Sequence, residues 1–252
     1  MTGVQLSIAG SVAIVTLDDP DRRNVLSPEL VAGLAAAFDE AEADERVRAA
    51  VVAAEGRAFC AGAELDTLLR AADGDFGPVE AVYDGFLRVL HSPLLTIGAV
   101  GGPAVGAGMN LALACDLRIA GPRASFDTRF AQLRLHPGGG HMYLLQRAVG
   151  YQQAAAACLL SQTWSAEDAR RVGFVLDVVE GDLVEAAVRV ASGLDGLDAD
   201  LARRMVASFR TSATLTQHRE ALALETEAQR WSTTLPGFVA GVAAIKERIA
   251  RG

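Results

Sequence analysis

The sequence predicts an α/β protein in which a spiral of strand–loop–helix turns is followed by a helical C-terminal region. Three observations carry that expectation. A strand, a glycine-rich loop and a helix recur twice, about 45 residues apart. Beyond Gly138 the apolar, β-branched runs give way to helical patterning. The chain has 252 residues, 51% of them hydrophobic, with no low-complexity tract, which is enough to bury a sizeable core.

The elements follow in order. Val4–Ala9 and Val12–Leu17 are apolar runs separated by Gly10-Ser11, the pattern of a hairpin. Ser27-Pro28-Glu29 starts a helix: Ser27 caps, Pro28 fits the first turn, and Glu29 meets the positive end of the dipole. Leu30, Leu34, Phe38 and Ala41 form its apolar stripe. Arg48–Ala54 is a short buried strand leading into the loop Glu55–Gly62. Leu94–Val100 is a second strand, Gly101–Gly108 a second glycine-rich loop, and Met109–Cys115 the start of a helix, with a strand at Asp116–Ala120. Between these units, Ala71–Gly77 is expected to be a loop over the site. Ser165 is a helix cap, Gly173 a helix stop, and Phe174–Val179 a late apolar segment. Residues 182–250 read as helical, interrupted at Pro236-Gly237. Residues 1–195 are expected to form the core carrying the site, and 196–252 a helical region of the same structural unit.

The formal charge of −8 disfavours a general affinity for nucleic acid or anionic membrane. Cys60, Cys115 and Cys158 lie far apart, with no CxxC pair and no histidine at ligand spacing, so no metal site is expected. They read as structural thiols of a reducing, cytoplasmic compartment. No basic segment followed by an apolar one marks a leader at Met1-Thr2-Gly3-Val4. The long uncharged run Val89–Cys115 contains Pro93, Pro103 and Asn110, and reads as buried strand, loop and helix rather than a membrane span.

The two glycine-rich loops each run into a helix, where backbone N–H groups are free and the dipole is positive. Two converging donors of that kind can hold a developing oxyanion; the alternative is that the glycines only permit tight turns and close packing. Neither loop continues into GK[ST], nor into GxGxxG with a ribose-spaced acid, so nucleotide chemistry is poorly supported.

These segments resemble one family in four places. Phe59-Cys60-Ala61-Gly62-Ala63-Glu64-Leu65 resembles the F-x-A-G-[AG]-D-[LI] segment of the enoyl-CoA hydratase/isomerase (crotonase) superfamily. Gly106-Ala107-Gly108 through Cys115-Asp116 to Ala120 resembles its second signature, Asn24-Val25-Leu26-Ser27 the entry to its first helix, and Pro137-Gly138-Gly139-Gly140 followed by Arg147-Ala148-Val149-Gly150 a later stretch. The resemblance spans essentially the whole chain. It implies a ββα spiral core with a C-terminal helical trimerisation region, assembled as a homotrimer or dimer of trimers. It implies lyase or isomerase chemistry of fatty-acid metabolism on an acyl-CoA thioester, with coenzyme A part of the substrate and no further cofactor. By position, the backbone N–H groups of Ala63 and Ala107 would form the oxyanion hole. Arg23, Val25 and Ala61 would line the CoA path, beside Glu64, Leu65 and Gly106. Lys246 or Arg248 would reach the phosphates of a neighbouring subunit's ligand, or else occupy a solvated helix face.

The chain departs from the family pattern where the hydratases carry two glutamates: those positions hold Asn110 and Phe130. An amide orients water but takes no proton near neutral pH, and a phenyl ring does neither. Hydration is therefore expected to be weak or absent. The alternative class is a catalytically retired acyl-CoA binding protein, suited by the apolar wall of Phe130. Nearby, Leu135-His136-Pro137-Gly138 and His141 place two of the four histidines by the acyl loop, with Asp127 just upstream. His141 as acid/base oriented by Asp127 is one reading. Alternatively, His141 caps or packs its helix, Asp127 pairs with Arg129 or Arg134, and His136 and Gly138 shape the pocket.

Overall fold

The computed structural model describes residues 3–251. Met1, Thr2 and Gly252, and with them the leader reading at Met1-Thr2, lie outside these residues.

Strands β1 (Gly3–Ala9) and β2 (Val12–Asp18) form the expected hairpin, closed at Gly10 with φ +63°. From β2 the sheet continues in parallel through β3 (Ala49–Ala54), β4 (Leu95–Val100), β6 (Leu117–Ala120) and β9 (Asp177–Val178). A second sheet consists of β5 (Pro103–Val105), β7 (Ser125–Asp127) and β8 (Trp164–Ser165). Cys60 extends it by a parallel bridge to Ala104. The chain thus crosses from the large sheet to the small one three times, at 54–60, 100–103 and 120–125, before entering a helix each time. This is a ββα spiral. Of the small sheet, β5 lies within the stretch expected as the loop Gly101–Gly108, and β7 and β8 carry no strand reading, because strands of two or three residues show no periodicity.

Five helices pack around the spiral: α1 (Pro28–Ala43), α2 (Leu65–Ala72), α3 (Gly77–Leu90), α4 (Ala107–Ala114) and α5 (His141–Leu160). Ser27 caps α1, its Oγ accepting from Leu30 N at 3.3 Å. The segment expected as a loop at Ala71–Gly77 shortens to the turn 73–76 between α2 and α3. Because β3 is buried on both faces, its side chains alternate between two cores. Ala50 and Val52 belong to the same core as Leu34 and Phe38 of α1 and Phe86 of α3. Ala49, Val51 and Ala53 join Ile97, Ala99 and the small residues Ala187 and Ala191 of α7 (Leu183–Ala191). Each buried Phe contributes about 1.5–3 kcal/mol to that packing.

Helix α6 (Ala166–Arg171) begins with a reciprocal cap between Ser165 and Asp168 and ends before Gly173, φ +78°. Of the remaining helices, α8 (Ala199–Ser212) is tied to the core through Arg210. Its guanidinium donates to Asp116 at 2.8 and 2.6 Å, while Asp116 accepts from Thr96 N and Oγ1 at 2.8 and 2.9 Å. Helices α9 (His218–Ser232) and α10 (Pro236–Arg251) bury no residue. Phe238, Val242, Ile245 and Ile249 form an exposed apolar stripe along α10. Among the described residues no helix is long and apolar enough to cross a membrane, and no group of three His, Cys, Asp or Glu stands together to hold a metal ion.

Candidate active site

The two glycine-rich loops lie against each other at main-chain distance. Cys60 N donates to Pro103 O at 3.2 Å and Val105 N to Cys60 O at 3.0 Å. Gly62, at φ +92°, leaves no room for a Cβ, which would stand 2.6 Å from Val105 O and 3.2 Å from Ala107 N. On the other side, Ala61 N donates to Arg23 O and Leu26 N to Gly62 O, at 3.0 and 2.8 Å. The 22–26 segment is itself held by Asn24, in the left-handed region at φ 55°. Its buried amide accepts from Asp19 N at 2.8 Å and donates to Glu55 O and Ala58 O at 2.9 and 3.0 Å. The N–H groups of Ala63 and Ala107 donate to no acceptor among the described residues, and neither do those of Glu64, Leu65 and Gly108 that follow them. Ala107 opens α4, so the helix dipole adds to its donor.

These groups border a cleft of about 670 Å³. One side holds Arg22, Arg23, Val25, Ala61, Glu64 and Leu65; Gly106, Ala107 and Asn110 rise from α4; Phe130, His136 and Gly138 close it from the segment after β7. Glu64 is engaged by Arg22 at 3.0 Å, and Arg22 also grips Asp19. Several contributors were not singled out from sequence, Arg22, Leu68 and Tyr83 among them. Arg22 and Leu68 line the cleft, and Tyr83 reaches it from α3, with its ring 5.7 Å from Phe86. Tyr83 lies three residues before Phe86 on the buried face of α3, a helical spacing that carries no mark of a pocket residue. Burial pushes its phenol up.

The pairing of His141 with Asp127 is overturned. The Asp127 carboxylate chelates its near neighbour Arg129, accepting from its backbone N–H, Nε and Nη2 at 2.8, 2.9 and 2.6 Å. Asp127 is not among the cleft residues, nor is His141, which is buried behind Asn110 and Phe130. His141 Nδ1 instead lies 2.5 Å from Asn110 Oδ1, and Asn110 Nδ2 donates to Gly138 O at 3.2 Å. The second bond turns the amide oxygen toward the histidine, so Nδ1 carries the proton. Burial pulls the imidazole down to about 4, leaving it neutral at pH 7. Its ring meets Phe130 edge-on at 5.1 Å, and Nε2 has no partner among the described residues. The Cys60 thiol is pushed up to about 12 by burial, which leaves it inert as a nucleophile. His136 Nδ1 sits 2.8 Å from Pro137 O on the exposed rim. Lys246 and Arg248 are exposed on α10.

A ββα spiral whose loops aim unpaired main-chain donors into a cleft defines a class of fold, and comparison places the chain within it. Residues 7–249 match the family described as enoyl-CoA hydratase/isomerase, and the chain belongs to that family. It is 46% identical over 254 residues to the probable enoyl-CoA hydratase EchA14 of Mycobacterium tuberculosis, covering 97% of this chain and 98% of that one. It is 34% identical to the 1,2-epoxyphenylacetyl-CoA isomerase of Escherichia coli, over 92% of this chain and 91% of the relative. The crystal structure of an enoyl-CoA hydratase from Polaromonas sp. JS666 superposes with a TM-score of 0.89 at 27% identity, covering 98% and 97% of the two chains.

Proposed function

We propose that the chain acts on an acyl-CoA thioester by holding its carbonyl oxygen between the N–H groups of Ala63 and Ala107 and stabilising the enolate or related oxyanion that forms. The observation that carries this reading is the pair of unpartnered donors on two loops locked together by Gly62. Such donors are pre-aimed, so no reorganisation opposes charge development. The relatives named for CoA thioesters support it. Coenzyme A would lie along Arg23, Val25 and Ala61, and the acyl group among Leu68, Val79, Val82 and Phe130.

Ordinary water addition is not the reaction we infer. Hydration requires a base for water and an acid for the α-carbon. Among the described residues the cleft's carboxylates are Asp21 and Glu64, both beside Arg22 and away from Asn110 and Phe130 in the chain, and Glu64 is ion-paired. Double-bond isomerisation meets the same objection, since it needs an acid/base where Phe130 stands; carbon–carbon cleavage, decarboxylation or thioester hydrolysis fit better. Incubation in D₂O with saturated, enoyl, β-keto and malonyl-type CoA thioesters, followed by mass, is expected to show α-deuteration or cleavage without addition across an enoyl bond. Addition of D₂O to an enoyl substrate would overturn the assignment of Asn110 and Phe130 as disabling. The lack of any carboxylate at positions 110 and 130 also favours a second reading, a retired acyl-CoA binding protein. Tight binding with every thioester unchanged would select it.

The unburied apolar stripe of α10 supports assembly as a homotrimer or dimer of trimers. Light scattering should then give three or six times the 26.3 kDa chain mass; a monomer at micromolar concentration would overturn this. In such an assembly Lys246 or Arg248 would meet a neighbour's CoA phosphates. Three buried, unpaired thiols support a reducing, cytoplasmic compartment.

A further inference from the structure

We propose that His141 is a positioning residue that locks the Asn110 amide with an N–H facing the cleft, so that the site selects acyl groups bearing an oxygen acceptor on their second or third carbon over plain hydrocarbon chains. The inference rests on the CoA-thioester reading above and concerns the same site.

Asn110 lies one helical turn beyond Ala107 on α4, and residues so spaced share a helix face with Cβ atoms about 5–6 Å apart. Its carbonyl is occupied by the Nδ1–H of His141 at 2.5 Å, and one amide N–H by Gly138 O at 3.2 Å. A primary amide carries two N–H groups, so one donor is left for the cleft that Asn110 lines, while the remaining lone pair lies on the oxygen turned toward His141. Rotating the amide would set its NH₂ against the N–H of His141 and its oxygen against a carbonyl. Gly139 completes the clamp, since a Cβ there would stand 3.1 Å from Asn110 Nδ2.

What holds a histidine at this place is the Nδ1–H bond. The orphaned Nε2, buried against Phe130, opposes burial of the ring, and an apolar residue of similar size would avoid that penalty. A fixed N–H beside the oxyanion donors cannot take a proton from water, but it binds an oxygen already present on the acyl chain. The one-turn spacing sets that oxygen a carbon or two beyond the thioester carbonyl.

The test is equilibrium titration of the full chain with butanoyl-CoA and 3-oxobutanoyl-CoA, in the native protein and in His141→Phe, which keeps a ring but removes the donor. The native protein should bind the 3-oxo ligand about tenfold more tightly, and the variant should reduce that ratio to within about twofold. Equal affinities in the native protein, or a ratio that survives the substitution, would overturn the inference while leaving the thioester reading intact. Absence of binding by either ligand would overturn the thioester reading, and this inference with it. Independently of the variant's folding, two-bond ¹H–¹⁵N spectra of the native protein should show His141 as the Nδ1–H tautomer; the Nε2–H tautomer would overturn the lock.

Discussion

Gly108→Ala is expected to destabilise the protein by about 3 kcal/mol and to reduce turnover or thioester affinity at least about 100-fold. The sign runs against local propensity, because Gly→Ala within a helix normally gains up to about 1 kcal/mol. Tertiary contact reverses it. A Cβ on Gly108 would drive into the Cys60 carbonyl, standing 2.7 Å from its carbon and 2.9 Å from the Cys60 Cβ. These are main-chain and fully buried atoms that cannot swing aside, and Cys60 is itself bonded to Pro103 and Val105. Relief requires α4 and the 60–63 loop to part, which separates the donors of Ala107 and Ala63. Urea denaturation and a thioester titration measure the two effects. Gly101→Ala is the control: its Cβ meets only Leu183 Cδ2, at an ordinary 3.7 Å. Native-like stability in Gly108→Ala would show that the loops are not in this contact.

The second large effect is on pH. His141 is held near 4 in the folded protein by burial, against about 6.5 when unfolded. Between those values the unfolded chain binds the additional proton, so stability rises with pH across the window and is lost as pH falls from 6.5 toward 4. A gap of that size amounts to about 3 kcal/mol, in place above pH 6.5 and wholly lost below 4. Urea unfolding free energies from pH 7.5 to 4 should fall by this amount beyond the carboxylate contribution, and His141→Phe should remove that part of the slope. An unchanged slope in the variant would mean that the ring titrates freely.

Most of the framework was legible because its determinants are local. Gly10-Ser11 between β-branched runs gave the hairpin, Ser27-Pro28 the helix start, and the Arg48–Ala54 run a short buried strand, observed at Ala49–Ala54. The small sheet was not, since β5, β7 and β8 are shorter than any period they could display. Within the site, the glycine loops announced themselves by composition. What the sequence could not supply was side-chain direction. Asp127 and His141 are near in sequence, yet Arg129, two residues from the carboxylate, captures it first, and the histidine turns to an amide 31 residues earlier. Asn24 as the clamp of the 22–26 segment, and Tyr83 as a cleft residue, depend on tertiary approach in the same way.

The Ala63 and Ala107 donors belong to the peptide bond, and this shapes how the gene can drift. Every amino-acid substitution at these two positions except proline preserves the N–H, so the anion-binding element proposed above would be shielded from most missense mutation, provided the packing of Gly62 and Gly108 is kept. Positions 110, 130 and 141 have no such protection. Proton-handling groups can be lost or replaced there one codon at a time while the polarising element stays intact, which is a route by which one scaffold passes from one thioester reaction to another.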